Sequence, residues 1–167
     1  YIIPARGLIG FQTEFRTMTS GLGLLFHVFD HYAPVSEREI ASRQNGVMIS
    51  NGQGTVLGYS LFNLQERGKL MCAHGDEVYE GQVIGIHSRD NDLVVNPLKG
   101  KKLTNMRAAG KDENIVLVTP IRYTLEQAME FIEDDELVEI TPTSIRIRKR
   151  ALKELDRKRS GRASESE

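Results

Sequence analysis

Residues 96–114 show neither helical nor strand periodicity in their apolar residues. Connections longer than about 12–15 residues are uncommon inside compact domains, and those that occur are usually functional or disordered. Core must therefore come from the apolar runs on either side. Those runs are short: Val47-Met48-Ile49, Val83-Ile84, Leu93-Val94-Val95, and residues 115–118. Runs of that length bounded by Gly, Asn and Pro read as strands.

Further elements follow from local pattern. Residues 4–19 read as a helix, with Pro4 suited to its first turn and Leu8, Phe11, Phe15 and Met18 at helical spacing. Ser20-Gly21 with Gly23 ends it. Residues 24–29 read as a buried strand, apolar on both faces except for His27. One helix and one strand cannot enclose a core, so residues 1–35 are expected to be the trailing half of a domain that begins upstream. The opening Tyr1-Ile2-Ile3-Pro4, without an initiator Met, suggests a fragment or a processed chain. Residues 34–42 read as a connector. Asn51-Gly52 predicts a tight hairpin joining residues 47–49 to residues 55–61. Residues 64–73 suit one helical turn or a strand, and Glu80-Gly81 a turn leading into the strand around Val83. Residues 124–132 predict a helix. Thr124 is its cap, Gln127 completes a capping box, and Leu125, Ala128, Met129 and Ile132 form its buried face. Two short strands, 137–141 and 144–147, flank Pro142. Residues 148–159 follow as a basic helix or extended tail, and residues 160–167 as a disordered end. The class is α+β, with a helix–strand element over residues 1–35 and a β-rich domain with one clear helix over residues 36–159.

Net charge is −1, but the charges come in blocks. Lys99, Lys101, Lys102, Arg107 and Lys111 come with no acidic residue among them. Residues 112–142 hold nine acidic residues against Arg122 alone. From Arg146 onward the chain is basic again. Local fields, not the net charge, are what a partner would feel.

Several chemistries find no pattern here. Cys72 is the only cysteine, which excludes an intrachain disulfide or cysteine metal cluster and suits a reducing, cytosolic compartment. No apolar run approaches the roughly 20 residues of a membrane span. Asn51-Gly52-Gln53-Gly54 with Gly58 lacks the Gly-Lys-Ser/Thr ending of a phosphate loop. His27 and His31 fall on or beside a strand, where four-residue spacing does not make a metal pair. Asp134-Asp135-Glu136 suits a solvated helix end better than a divalent ion. Nothing points to catalysis or to a bound cofactor in this chain.

The basic segment 97–111 suits RNA. Lys99, Lys101, Lys102, Arg107 and Lys111 answer phosphate charge, Gly100 and Gly110 allow close backbone approach, and Thr104 and Asn105 offer hydrogen bonds to sugar or base. Stacking aromatics are missing, which favours backbone and shape recognition. The same composition fits a solvated loop. Arg146, Arg148, Lys149 and Arg150 form a secondary basic patch, open to nucleic acid or to the acidic segment of the same chain. With only Leu152 and Leu155 as large apolar residues after Ile147, membrane insertion is disfavoured. A rival reading makes the acidic helix 124–136 a dock for a basic protein.

Residues 4–21, Pro-Ala-Arg-Gly-Leu-Ile-Gly-Phe-Gln-Thr-Glu-Phe-Arg-Thr-Met-Thr-Ser-Gly, resemble the second helix of the fifth domain in elongation factor G-like translational GTPases, and residues 24–32 the closing strand of that ferredoxin-like domain. Residues 51–55 (Asn-Gly-Gln-Gly-Thr), 100–108 (Gly-Lys-Lys-Leu-Thr-Asn-Met-Arg-Ala) and 140–150 (Ile-Thr-Pro-Thr-Ser-Ile-Arg-Ile-Arg-Lys-Arg) resemble the C-terminal domain peculiar to the BipA, or TypA, family. The resemblance covers nearly the whole chain up to about residue 159. It implies a ribosome-associated GTPase linked to large-subunit assembly, cold growth and stress, with GTP and Mg bound in an N-terminal domain absent here. Its implied partners are the ribosome, large-subunit rRNA and the A-site tRNA. The long loop would approach the tRNA acceptor end, with Lys99, Lys101, Lys102, Asn105, Arg107 and Lys111 as contacts, and would be poorly ordered away from the ribosome.

Overall fold

The computed structural model describes residues 1–8, 11–34, 43–100 and 115–164. In the N-terminal part, a 3-10 turn over Ala5–Leu8 precedes helix α1, Phe11–Met18. Phe11 and Phe15 pack ring to ring at 5.9 Å. The helix ends as expected: Ser20 and Gly21 both take positive φ, and Gly21 N–H donates to the Arg16 carbonyl. The strand expected over 24–29 is not formed. Leu22, Leu24, Phe26, Val28 and Phe29 are exposed. A strand exists only through its ladder, and no described residue pairs with this one.

The rest is built on a six-stranded sheet. Its strands are β1 (Val47–Ser50), β3 (Gly68–Leu70), β5 (Gln82–His87), β6 (Leu93–Val95), β7 (Glu136–Ile140) and β8 (Ile145–Lys149). The order is β6-β1-β5-β8-β7, and β3 shares with β8 the side of β5 that faces away from β1. All pairs are antiparallel except β1–β6. A two-stranded ribbon, β2 (Gly54–Thr55) with β4 (Glu77–Val78), lies beside it.

The β1–β5 register slips between Met48 and Ile49, leaving Ile84 as an extra residue on β5. The two faces then fill two cores. Met48 and Ile84 pack with Val56, Leu61, Leu70, Val78 and Val95. Val47, Ile49, Val83 and Ile147 pack with Ala128.

Two expectations are corrected here. The hairpin across Asn51-Gly52 does not form: β1 pairs with β5 and β6, and residues 58–64 are helix α2 (Gly58–Leu64), not strand. Ser60, Leu61 and Leu64 are its buried face, a helical spacing that an alternating reading obscures. Residues 115–118 form no strand. The Gln65 side chain substitutes for a neighbouring strand, its Nε2 donating to the Val116 carbonyl and its Oε1 accepting from Val118 N–H, each at 3.1 Å.

Helix α3, Leu125–Phe131, carries the expected capping box, with Thr124 and Gln127 bonded reciprocally. Its packed face differs in one place: Met129 is exposed, whereas Phe131 packs with Ala128 and Ile132. The strands around Pro142 form as β7 and β8 in one antiparallel hairpin. Helix α4, Glu154–Ser164, runs through residues expected to be disordered. The connector over 35–42 and most of the basic loop, 101–114, lie outside the described residues, as do 165–167. Among the described residues no helix is long and apolar enough to cross a membrane.

Candidate nucleic-acid interface

The basic loop leaves and re-enters the fold at α2. On the outgoing side, the Pro97 carbonyl accepts from Leu57 N–H at 3.1 Å and from the Ser60 hydroxyl. Pro97 is buried, and Leu98 packs against the first core. On the returning side, Gln65 holds residues 116 and 118, and Ile121 N–H donates to the Leu70 carbonyl at 2.8 Å. Leu57 caps the start of α2 and Gln65 its end. One short helix thus holds both stems, its two cap positions about 12 Å apart along its axis. Lys99 stands exposed at the outgoing stem. Lys101, Lys102, Asn105, Arg107 and Lys111 lie outside the described residues.

The second basic run divides by face. Alternation along β8 sends Ile145, Ile147 and Lys149 to one side and Arg146 and Arg148 to the other. Lys149 does not belong to a surface patch. Its side chain is 2% exposed, and its Nζ lies 2.6 Å from Asp92, 2.8 Å from Asp135 and 3.0 Å from Glu136. Burial would lower its pKa, but the three carboxylates outweigh that and hold it above the ordinary lysine value. It is therefore the partner of the acidic segment.

Arg43 completes this cluster. Its guanidinium makes a bidentate pair with Glu136, both bonds 2.9 Å, and also bonds Glu133 and the Phe131 carbonyl. It stacks 4.3 Å over the Phe131 ring. The solvated helix end expected at 134–136 is thus half wrong. Asp134 and Asp135 are exposed, but the Glu136 side chain is fully buried between two cations. Glu133, Asp135 and Glu136 come close enough to share a metal ion. Lys149 and Arg43 already pair with all three of them.

Arg146 and Arg148 are about one-third exposed, with Glu139 between them at 4.0 and 3.9 Å. Arg150 is exposed. An open groove of about 740 Å³ runs between the β7–β8 turn and residues 121–123. Along it Asp76 pairs with Arg122 at 2.8 Å, and burial pushes the Cys72 thiol up to about 12.

Comparison with known proteins gives these surfaces a context. Residues 45–154 match the model of the TypA/BipA C-terminal domain, and residues 1–43 match that of the elongation factor G C-terminus. The chain belongs to the TypA/BipA family. A relative from Escherichia coli strain K12, named large ribosomal subunit assembly factor BipA, is 69% identical over 163 residues, covering 98% of this chain and 27% of its own length. Relatives of the same name from Haemophilus influenzae and Buchnera aphidicola are 66% and 60% identical, each over 166 residues, 99% of this chain and 27% of theirs. The chain spans little more than a quarter of the curated relatives it matches.

Within this TypA/BipA chain, sequence reasoning missed Arg43, Asp92, Gln65 and Ser60. None has a local signal, because each acts on a residue far along the chain. The fate of Lys149 was open to reading: strand alternation alone separates it from Arg146 and Arg148.

Proposed function

We propose that this chain is the ribosome- and RNA-binding C-terminal module of a translational GTPase that takes part in large ribosomal subunit assembly, in the cytoplasm, under cold or stress. The observation that carries this reading is the close similarity, across nearly the whole chain, to relatives named large ribosomal subunit assembly factors. In this reading residues 97–111 reach the acceptor end of an A-site tRNA, through Lys99, Lys101, Lys102, Asn105, Arg107 and Lys111. Large-subunit rRNA supplies the surrounding contacts. GTP and Mg belong to another part of the intact protein, and this module positions the factor without taking part in hydrolysis.

The anchoring of both loop stems on α2 supports the reading. Fixing both ends of a segment restricts its chain entropy beforehand, so less is left to be lost on binding. The acidic face fits less well as a protein dock, since Glu133, Asp135 and Glu136 are paired internally. Lysine and arginine contacts to phosphate release counterions, so binding should weaken steeply with salt. In a ribosome-pelleting assay, Lys101→Ala, Lys102→Ala and Arg107→Ala together should reduce the bound fraction and flatten its salt dependence by about three contacts. Unchanged pelleting by the triple variant would overturn the assignment of the loop.

A further inference from the structure

The solvent-facing side of the β7–β8 hairpin has a feature that the loop reading leaves unused. Arg146 and Arg148 project from β8 on the face opposite Ile147, which packs against Ala128 of α3. Glu139 faces Arg146 across the ladder. One carboxylate therefore stands between two guanidinium groups, at 4.0 Å from Arg146 and 3.9 Å from Arg148. Charge-assisted hydrogen bonds between these groups run at about 2.7–2.9 Å. The arginines are thus attracted to Glu139 without spending an N–H on it. The Tyr79 hydroxyl donates to Glu139 Oε2 and takes up that oxygen. Burial, then the bond to Glu139, raises the Tyr79 phenol, so it remains a donor at neutral pH.

The bland role of such a group is cross-strand pairing, worth roughly 0.2–1 kcal/mol. One arginine opposite one glutamate would serve that role. A second arginine leaves a surplus positive charge; of the five N–H donors of Arg148, one points at the Lys149 carbonyl, 3.4 Å away. Residues two apart on a strand sit about 6.6 Å apart, close to the separation of successive phosphates along a polynucleotide. A guanidinium fork matches a phosphate bidentately. Protein hot spots, by contrast, centre on buried apolar or aromatic anchors. Here Leu137 is half-buried and Tyr79 is turned to Glu139.

We propose that Arg146 and Arg148 form a second contact for the phosphodiester backbone of RNA, with Glu139 and Tyr79 holding the two guanidinium forks apart and open to solvent. Lys149 is excluded by its burial. The proposal rests on the RNA-binding reading above and adds a surface separate from the loop.

The test uses the whole chain and a fluorescein-labelled RNA hairpin with a single-stranded 3′ end, titrated across a range of salt. Arg146→Gln with Arg148→Gln should weaken binding on the order of tenfold at low salt. It should also make the plot of log affinity against log salt shallower by about two, one for each lost phosphate contact. Arg146→Lys with Arg148→Lys should restore the salt slope while recovering part of the affinity. This pair decides the matter if the glutamine variant unfolds, since failure to restore the slope then overturns the proposal. Glu139→Gln should tighten binding, because it removes the competing carboxylate.

An unchanged affinity and slope in a well-folded glutamine variant would also overturn it. If Lys101→Ala/Lys102→Ala/Arg107→Ala abolishes RNA binding while the glutamine pair leaves affinity and salt slope unchanged, the loop reading stands and this one falls. If the unaltered chain binds no RNA, both fall. If a polyglutamate peptide, and not RNA, senses the arginine pair, the surface belongs to an acidic protein segment and the RNA assignment is overturned.

Discussion

Lys149 is held by Asp92, Asp135 and Glu136, and Glu136 is held in turn by Arg43. Removing one partner from such a buried group strands the others as uncompensated charges, at a cost of about 3–5 kcal/mol. Lys149→Ala should show a loss of that size in urea unfolding of the whole chain. The pH dependence has a definite sign. The folded-state pKa of Lys149 is raised, so its contribution is complete below the unfolded value of 10.5 and is lost as pH rises through the higher folded value. Stability should therefore fall in that alkaline window, and Lys149→Ala should lose this part of the fall. Some of this was legible. In Ile145-Arg146-Ile147-Arg148-Lys149 the strand period puts Lys149 with the isoleucines, on the packed side. That three carboxylates wait for it there was not legible, because Asp92 lies at the entrance of another strand and Asp135 and Glu136 meet Lys149 only through the β7–β8 pairing.

At the scale of elements, sequence reasoning did best where the signal is local. The capping box of α3 needs only Thr124 and Gln127, three residues apart. The turn before β5 needs only Gly81, whose φ is +86°. Reasoning failed where a tertiary partner decides. Residues 58–64 became α2 because Leu61 and Leu64 are needed over Met48 and Ile84, and residues 24–29 have no described partner to make them a strand. Gly81 also gives an element-scale prediction. A Cβ there would lie 2.6 Å from the Leu152 backbone, on a φ that side chains rarely adopt. Gly81→Ala should lower the melting temperature, with a loss of about 1–3 kcal/mol. It should also disturb the approach to α4, where Glu154 N–H donates to Glu80.

For the molecule as a whole, Arg43 is the telling residue. It is the last position matched to the elongation factor G C-terminus, yet every contact described for it but one, the Asn45 carbonyl, reaches Phe131, Glu133 or Glu136. The sheet domain thus grips the chain two residues before its own family match begins. Arg43→Ala should destabilise the chain by about 3 kcal/mol in chemical denaturation. Arg43→Lys should recover less than half of that, since an ammonium cannot make the bidentate pair. The two stems on α2 have a consequence of another kind. Among the described residues, every member of the two cores comes from before residue 99 or after residue 116. Loop-closure entropy grows slowly, by about 0.6 kcal/mol for each doubling of length. Adding a few residues between the two stems should therefore leave their mounting on α2 intact, much as a tool changes on a fixed handle.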